Sequence, residues 1–329
     1  MYEIEKLNLA GNIKAILNKG KTILLYKNLG RVSKDAINDS YEVSLYEQST
    51  QNDYKLIHQI VFRNAFPPID IAMLSSEIIV ISGRKFILTF KKNNTNYETH
   101  QKMFNSDWAE ITKIKEIKNG NFAVCGWYGF MIFQKSSNDE YYKSFEINRD
   151  ILNDYWITDF EEIKEKENSF VLCGNKKAFI INGQNIINEI SFKDPKFHIT
   201  NDYICQFQDN LFIIPTIQHI ILIDTTENKF RQIDFLEAVK LKPPNPKLPP
   251  PTYFDGSSIY KYDMNSVIIL TGKGIFIVKI IDKKRIQVNI RIKLGNYFLL
   301  KFIDEKRILF IDKKDGVYKI KFNRKLNYI

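Results

Sequence analysis

One hairpin recurs along the whole chain at a nearly fixed interval, and no other feature limits the fold as tightly. It reads as an apolar strand, a tight turn entered mostly through glycine, and a second apolar or aromatic strand. The copies are EIIVISGRKFILTF from Glu77, NFAVCGWYGFMIFQ from Asn121, SFVLCGNKKAFIIN from Ser169, SVIILTGKGIFIVK from Ser266 and RILFIDKKDGVYKI from Arg307. The turn glycines Gly83, Gly126, Gly174 and Gly272 lie 43, 48 and 98 residues apart. The long interval holds one more copy, NLFIIPTIQHIILID from Asn210, with Pro215-Thr216 at its turn. These runs are short, rich in Ile, Val, Phe and Tyr, and bounded by Gly, Asn or Asp, which suits pleated strands. Helical periodicity shows only briefly, from Phe235 to Lys242.

A moderately polar strand precedes each hairpin and an amphipathic one follows it, so the repeating unit is four strands. A period near 45 residues is that of a propeller blade. Inner strands are expected to begin near Ile69, Glu110, Trp156, Asp202, Ser258 and Tyr297. Outer strands are expected at Tyr97–Phe104, Glu140–Ile147, Asn185–Phe192, Lys229–Phe235 and Arg285–Lys293. The first unit reads as Asn12–Leu17, Lys21–Lys27, Tyr41–Glu47 and Tyr54–Phe62, with an expanded turn from Asn28 to Ser40. The last unit has three strands only, and the N-terminus has one to spare, Tyr2–Leu9. Pairing residues 2–9 into the last unit would satisfy two exposed sheet edges and close a ring. The expectation is an all-β, seven-bladed β-propeller with four-stranded blades and a single domain over 1–329. Seven units in 329 residues average 47 each, which agrees with the period.

In strand order, repeat length and ring closure the pattern resembles the WD-repeat propeller superfamily over essentially the whole chain. The resemblance implies a scaffold of assemblies and no residue-level site. No unit carries the Gly-His pair at its start or the Trp-Asp pair at the end of its third strand. Kelch double glycines are absent, and Tyr155-Trp156-Ile157-Thr158-Asp159 is a single interrupted match to the YWTD motif of receptor propellers.

The chain carries 48 Lys and Arg against 38 Asp and Glu, a formal net charge of +10. That suggests acidic partners such as nucleic acid, anionic membrane or acidic protein. Ile, Lys and Asn also crowd the entire chain, as codon choice in an A/T-rich genome would produce. Met1-Tyr2-Glu3-Ile4-Glu5-Lys6 lacks the apolar segment of a signal peptide. Cys125, Cys173 and Cys205 lie in apolar runs without CxxC spacing, which reads as reduced core thiols. The cytoplasm is the expected compartment, with the nucleus as the alternative.

Reaction chemistry leaves little trace. His58, His100, His198 and His219 fall in different units without metal-ligand spacing. No P-loop, dinucleotide fingerprint, GxSxG or EF-hand loop is present, so no cofactor, metal or small-molecule substrate is expected and the chain reads as non-enzymatic. An enzyme with a central-channel site, built from several blades with little linear trace, ranks below.

Propeller geometry collects loops of one class on one face. The hairpin turns carry Arg84, Lys85, Lys176, Lys177, Lys273, Lys313 and Lys314 against Asp315 alone. Trp127 and Tyr128 occupy one such turn, and the connections on that side add Arg63, Arg149, Lys193, Lys196 and Phe66. Trp108 and Trp156 start inner strands and suit the core. The expected role is a protein-interaction scaffold, a subunit of a larger protein or ribonucleoprotein assembly, binding acidic protein or RNA through this basic, aromatic face. The alternative is a peripheral phosphoinositide-binding propeller. The paired-arginine motif of such proteins is matched only by single arginines, in Phe62-Arg63-Asn64 and Phe230-Arg231-Gln232. One segment breaks the repeat, a proline-rich inter-blade loop at 237–257. Pro243 and Pro246 fit the basic-xxPxxP ligand pattern, and Pro250, Pro251 and Tyr253 the PPxY pattern. Each is also what a stiff connecting loop would contain.

Overall fold

The structure, a computed structural model, describes residues 2–9, 12–17, 22–31, 39–50, 53–153, 156–174, 176–192, 204–216, 219–234, 258–271, 274–282, 285–292, 298–302, 308–313 and 316–322. The proline-rich loop and the weakly helical stretch lie outside these residues.

Strand β1 (Tyr2–Lys6) opens the chain. Four consecutive strands then make each of six antiparallel sheets. The first holds β2 (Asn12–Leu17), β3 (Thr22–Arg31), β4 (Asp39–Gln48) and β5 (Tyr54–Asn64), the second β6 (Pro68–Met73), β7 (Ile78–Gly83), β8 (Phe86–Asn93) and β9 (Asn96–Phe104). The third holds β10 (Ile111–Glu116), β11 (Phe122–Gly126), β12 (Gly129–Lys135) and β13 (Tyr141–Asn148), the fourth β14 (Ile157–Glu162), β15 (Ser169–Gly174), β16 (Lys177–Asn182) and β17 (Asn185–Ser191). The fifth holds β18 (Cys205–Gln208), β19 (Leu211–Pro215), β20 (His219–Asp224) and β21 (Lys229–Asp234), the sixth β22 (Ser258–Lys261), β23 (Ser266–Thr271), β24 (Gly274–Asp282) and β25 (Arg285–Ile292). Strands β26 (Phe298–Phe302), β27 (Ile308–Lys313) and β28 (Gly316–Phe322) end the described chain. The seventh sheet has the order β1-β28-β27-β26, so the N-terminal strand takes the edge beside the last one. That pairing and the four-strand period are as the repeat predicts.

Two compact units divide the chain. The first, Ile4–Trp156 with Leu309–Ile320, contains the sheets β2–β5, β6–β9 and β10–β13. The second is built mainly from Ile157–Ile308 and contains the next three sheets. Within each unit the core lies between neighbouring sheets. In the first, Ile78, Val80 and Ile87 of one sheet pack with Ile114, Phe122, Val124 and Phe133 of the next. In the second, Val171, Cys173 and Ile180 pack with Phe212, Ile214 and Ile221. The middle strands therefore face apolar neighbours on both sides, and β7, β11, β15 and β19 are buried at every position. Burial on both sides produces a continuous apolar run in place of alternation. Each large side chain so buried stabilises by roughly 1.5–3 kcal/mol. The fourth strands are largely exposed instead, and β17 (Asn185–Ser191) alternates, because one side meets water.

Inner strands begin with an irregular register, at Ile13/Ala15, Pro68/Asp70, Ile111/Lys113 and Ile157/Asp159. A bulge re-aims the side chain that follows it. Asp70 uses this to accept the Ile114 amide at 2.8 Å, and fully buried Asp159 accepts the Ile204 amide at 3.3 Å and that of Phe160 at 2.8 Å. An inner-edge N–H of one sheet is thereby satisfied by the sheet before it.

Turns complete the pattern. Among the described residues eight that are not glycine have positive φ: Glu77, Lys85, Asn94, Asn119, Asp139, Asn153, Asn168 and Asn228. Five are asparagine, the side chain that most readily tolerates the left-handed region. Cys125, Cys173 and Cys205 are buried with no disulfide. No helix among the described residues is long and apolar enough to cross a membrane.

Candidate functional site

Two neighbouring hairpin turns of the first unit each open onto a cleft. Gly83 pairs with Phe86, which leaves Arg84-Lys85 as a two-residue turn with Lys85 at φ 68°. The Lys85 amide donates to the Trp108 carbonyl at 2.9 Å, and the Asn105 amide donates to the Lys85 carbonyl at 3.2 Å. These bonds fasten the turn to the connection that follows β9 (Asn96–Phe104). A cleft of about 310 Å³ results, lined by residues 64–66, 84–86 and 104–106. The Arg84 guanidinium stands 5.5 Å from the Phe66 ring centroid, and Phe104 is 63% exposed. Neither Arg84 nor Lys85 has an ion-pair partner among the described residues, and no carboxylate lines this cleft.

The second turn is Trp127-Tyr128, held between paired Gly126 and Gly129. A Cβ on Gly126 would overlap the Glu110 carbonyl oxygen, which itself accepts the Trp127 amide at 2.9 Å. Gly129 sits at φ 131°, which only glycine adopts easily. Trp127 is 41% exposed and meets Trp156 edge-to-face at 5.3 Å. The Arg149 guanidinium lies 4.9 Å from the Trp127 ring. The Tyr128 hydroxyl donates to the Glu146 carboxylate. Burial, then this bond and the Glu146 charge, push the Tyr128 phenol up to about 12. The cleft here, about 350 Å³, is lined by Asp107, Ala109, Trp127, Tyr128 and residues 148–150, including Asp150. Its charge is mixed, since a cation on an aromatic face is accompanied by two carboxylates.

The remaining predicted face residues are less informative. In the second unit Lys176 is exposed, and its carbonyl accepts the Phe192 amide at 2.8 Å. Lys177 is ion-paired with Glu189. Lys313 ends β27 (Ile308–Lys313), whereas Lys273 and Lys314 lie outside the described residues, as do Pro243, Pro246, Pro250, Pro251 and Tyr253. Trp108 is buried. Sequence reasoning missed Phe104, Asp107, Glu146 and Asp150. Counting both signs of charge in the connections would have found the two aspartates, and Phe104 passed for the end of an outer strand.

The histidines show no convergence. His58 packs edge-to-face on Tyr97 at 5.2 Å, the His100 ring bonds the Asp139 carbonyl at 2.9 Å, and His219 lies 3.8 Å from Asp234. His198 is outside the described residues. Among the described residues no group of three His, Cys, Asp or Glu is arranged to hold a metal ion.

No protein-family model matches the sequence, and no curated protein does. Solved structures do. The Pan2 WD40 domain of Neurospora crassa aligns over 96% of this chain and 90% of its own, with TM-score 0.57 and 10% identity. A chain of a mitotic checkpoint complex aligns over 98% and 91%, with TM-score 0.67 and 7% identity. Virginiamycin B lyase from Staphylococcus aureus aligns over 98% and 100%, with TM-score 0.57 and 13% identity. The fold is a β-propeller. Its seven four-stranded sheets match seven blades, and its similarity extends to WD40-type propellers as the repeat suggested. At these identities the likeness is one of fold, and a propeller fold serves both binding proteins and enzymes.

Proposed function

We propose that this propeller is a non-catalytic protein-interaction scaffold, working as a subunit of a larger assembly. The observation that carries the reading is the side of the first unit where hairpin turns and blade connections meet. There Arg84, Lys85, Phe104 and Trp127 are presented on backbone fastened by hydrogen bonds. Exposed Trp and Arg on a rigid frame are the residue types that dominate interface energetics. The WD40 neighbours support a general role of this kind, one of them being a chain of a checkpoint complex. Protein partners are favoured over RNA or phosphoinositide, because stacked Arg149 is accompanied by Asp107 and Asp150, which repel phosphate.

Purification of the tagged native protein, followed by sizing and quantitative mass spectrometry, tests the proposal. Recovery in a stoichiometric complex is expected, and recovery as a lone species would defeat it. Flotation with phosphoinositide liposomes separates the membrane reading, for which the expected result is no binding. The lyase neighbours motivate one enzymatic reading. Turnover of streptogramin B or virginiamycin B by the purified chain would replace the scaffold reading with it.

A further inference from the structure

We propose that the cleft between residues 64–66, 84–86 and 104–106 is a docking site for an acidic peptide carrying a large apolar side chain next to its carboxylates. This deepens the scaffold reading and rests on it. The argument begins with charge. Arg84 and Lys85 are adjacent cations on the rim, without an ion-pair partner among the described residues, and the cleft wall contains no Asp or Glu. Several cations elsewhere are engaged, Lys177 with Glu189, Lys91 and Lys135 with Asp139, and Lys143 with Glu146, whereas here two adjacent ones line a single cleft. Uncompensated like charge at one spot raises the local potential and favours an anionic ligand.

Geometry narrows the class. The Arg84 guanidinium stands 5.5 Å from the Phe66 ring centroid, and a guanidinium has a planar fork of N–H donors that matches the paired oxygens of a carboxylate. Stacking also lowers the rotamer freedom that binding would otherwise remove. The two-residue turn holds Arg84 and Lys85 side by side, and its bonds to Trp108 and Asn105 hold the wall in place before a ligand arrives.

The floor and rim are apolar. Phe86 is buried beneath, Phe66 is partly buried, and Phe104 exposes 63% of its surface at the edge. A phosphoinositide headgroup or a duplex backbone would use the cations and leave Phe104 in water, whereas a peptide with Leu or Phe beside Asp or Glu uses both. An oligouridylate, tried alongside the peptide, separates a stacked single strand from it. The volume, about 310 Å³, suits one or two side chains and not a folded domain.

Selection of random dodecapeptides on phage against the immobilised full chain tests the assignment, followed by fluorescence polarisation with the selected peptide. The expected motif joins Asp or Glu to Leu or Phe. Affinity should fall about tenfold or more in R84E/K85E and in Phe104→Ser, and in a peptide with its acids changed to amides. Lys176→Glu, in the other unit, should leave it unchanged. Unaltered melting temperatures show that the variants fold, and Arg84→Ala is a milder substitute should the double variant not fold. Peptides that bind R84E/K85E as well as the wild type overturn the cleft assignment and leave the scaffold reading standing. Selection of no peptide also overturns it, as does cleft-dependent binding of an oligouridylate, and recovery of a native complex then shows that only this inference failed.

Discussion

The two clefts of the first unit are built at equivalent places, each between a hairpin turn and the connections on either side, yet they differ in how their charge is used. In one, Arg84 sits in the turn over Phe66 from the connection. In the other the parts are exchanged, with Trp127 in the turn and Arg149 in the connection. The Trp127 cleft satisfies itself: its ring is packed on Trp156, its tyrosine is bonded to Glu146, and aspartates stand near its arginine. The Phe66 cleft leaves two cations without an ion-pair partner among the described residues and a ring exposed. Equivalent backbone thus carries a site completed from within and a site that awaits something from outside.

The largest expected effect concerns the turn glycines. Gly126→Ala should destabilise by about 3 kcal/mol, because its Cβ meets backbone at Glu110 that cannot rotate away. At Gly83 a Cβ meets the Phe86 ring, which can shift, and the Pro67 carbonyl oxygen at 2.7 Å, a milder backbone overlap than at Gly126, so about 2 kcal/mol is expected. Thermal or urea unfolding measures both, and equal losses would break the asymmetry. Next comes the aromatic pair. Trp127→Ala should cost about 2 kcal/mol and Phe66→Ala about 1 kcal/mol, since only Trp127 has a second aromatic partner besides its cation.

Smaller still is the effect of the arginines on stability. Arg149→Ala should cost about 1 kcal/mol and Arg84→Ala within about 0.5 kcal/mol, for Arg84 is exposed. A double-mutant cycle of each arginine with its ring would sharpen the difference, and a larger coupling at Arg84 would reverse it. A separate effect is seen in alkali. With its folded pKa raised from 10.0 to about 12, Tyr128 contributes stability that is complete below pH 10 and lost as pH rises through about 12. Tyr54 and Tyr97 behave alike, so melting temperatures should decline over that window, and less so in Tyr128→Phe. A tyrosinate signal from Tyr128 at pH 10 would show that burial and the Glu146 bond do not hold the phenol protonated in solution.

The fold was legible because a propeller writes its architecture locally. Doubly buried middle strands such as β11 (Phe122–Gly126) leave uninterrupted apolar runs, and turns such as Gly83-Arg84-Lys85 recur at the blade period. Even the pairing of the first strand with the last sheet could be read from a surplus at one end and a deficit at the other. The clefts were legible only in part. By sequence Lys177 reads as a turn residue like Lys85, but it opens β16 (Lys177–Asn182), and its pairing with Glu189 depends on a neighbouring strand's register, which linear spacing does not record. Phe104 belongs to an outer strand by sequence and to a cleft rim by position.

The asparagine turns have a consequence for the chain before it folds. Glycine would fit the same left-handed positions, but a glycine-rich chain wanders through many more backbone states and loses more disorder on becoming ordered. With 14 glycines in 329 residues and Asn94, Asn119, Asn153, Asn168 and Asn228 at such corners, this chain starts from a narrower ensemble. Stability is gained there by limiting the alternatives, with no contact added to the native state.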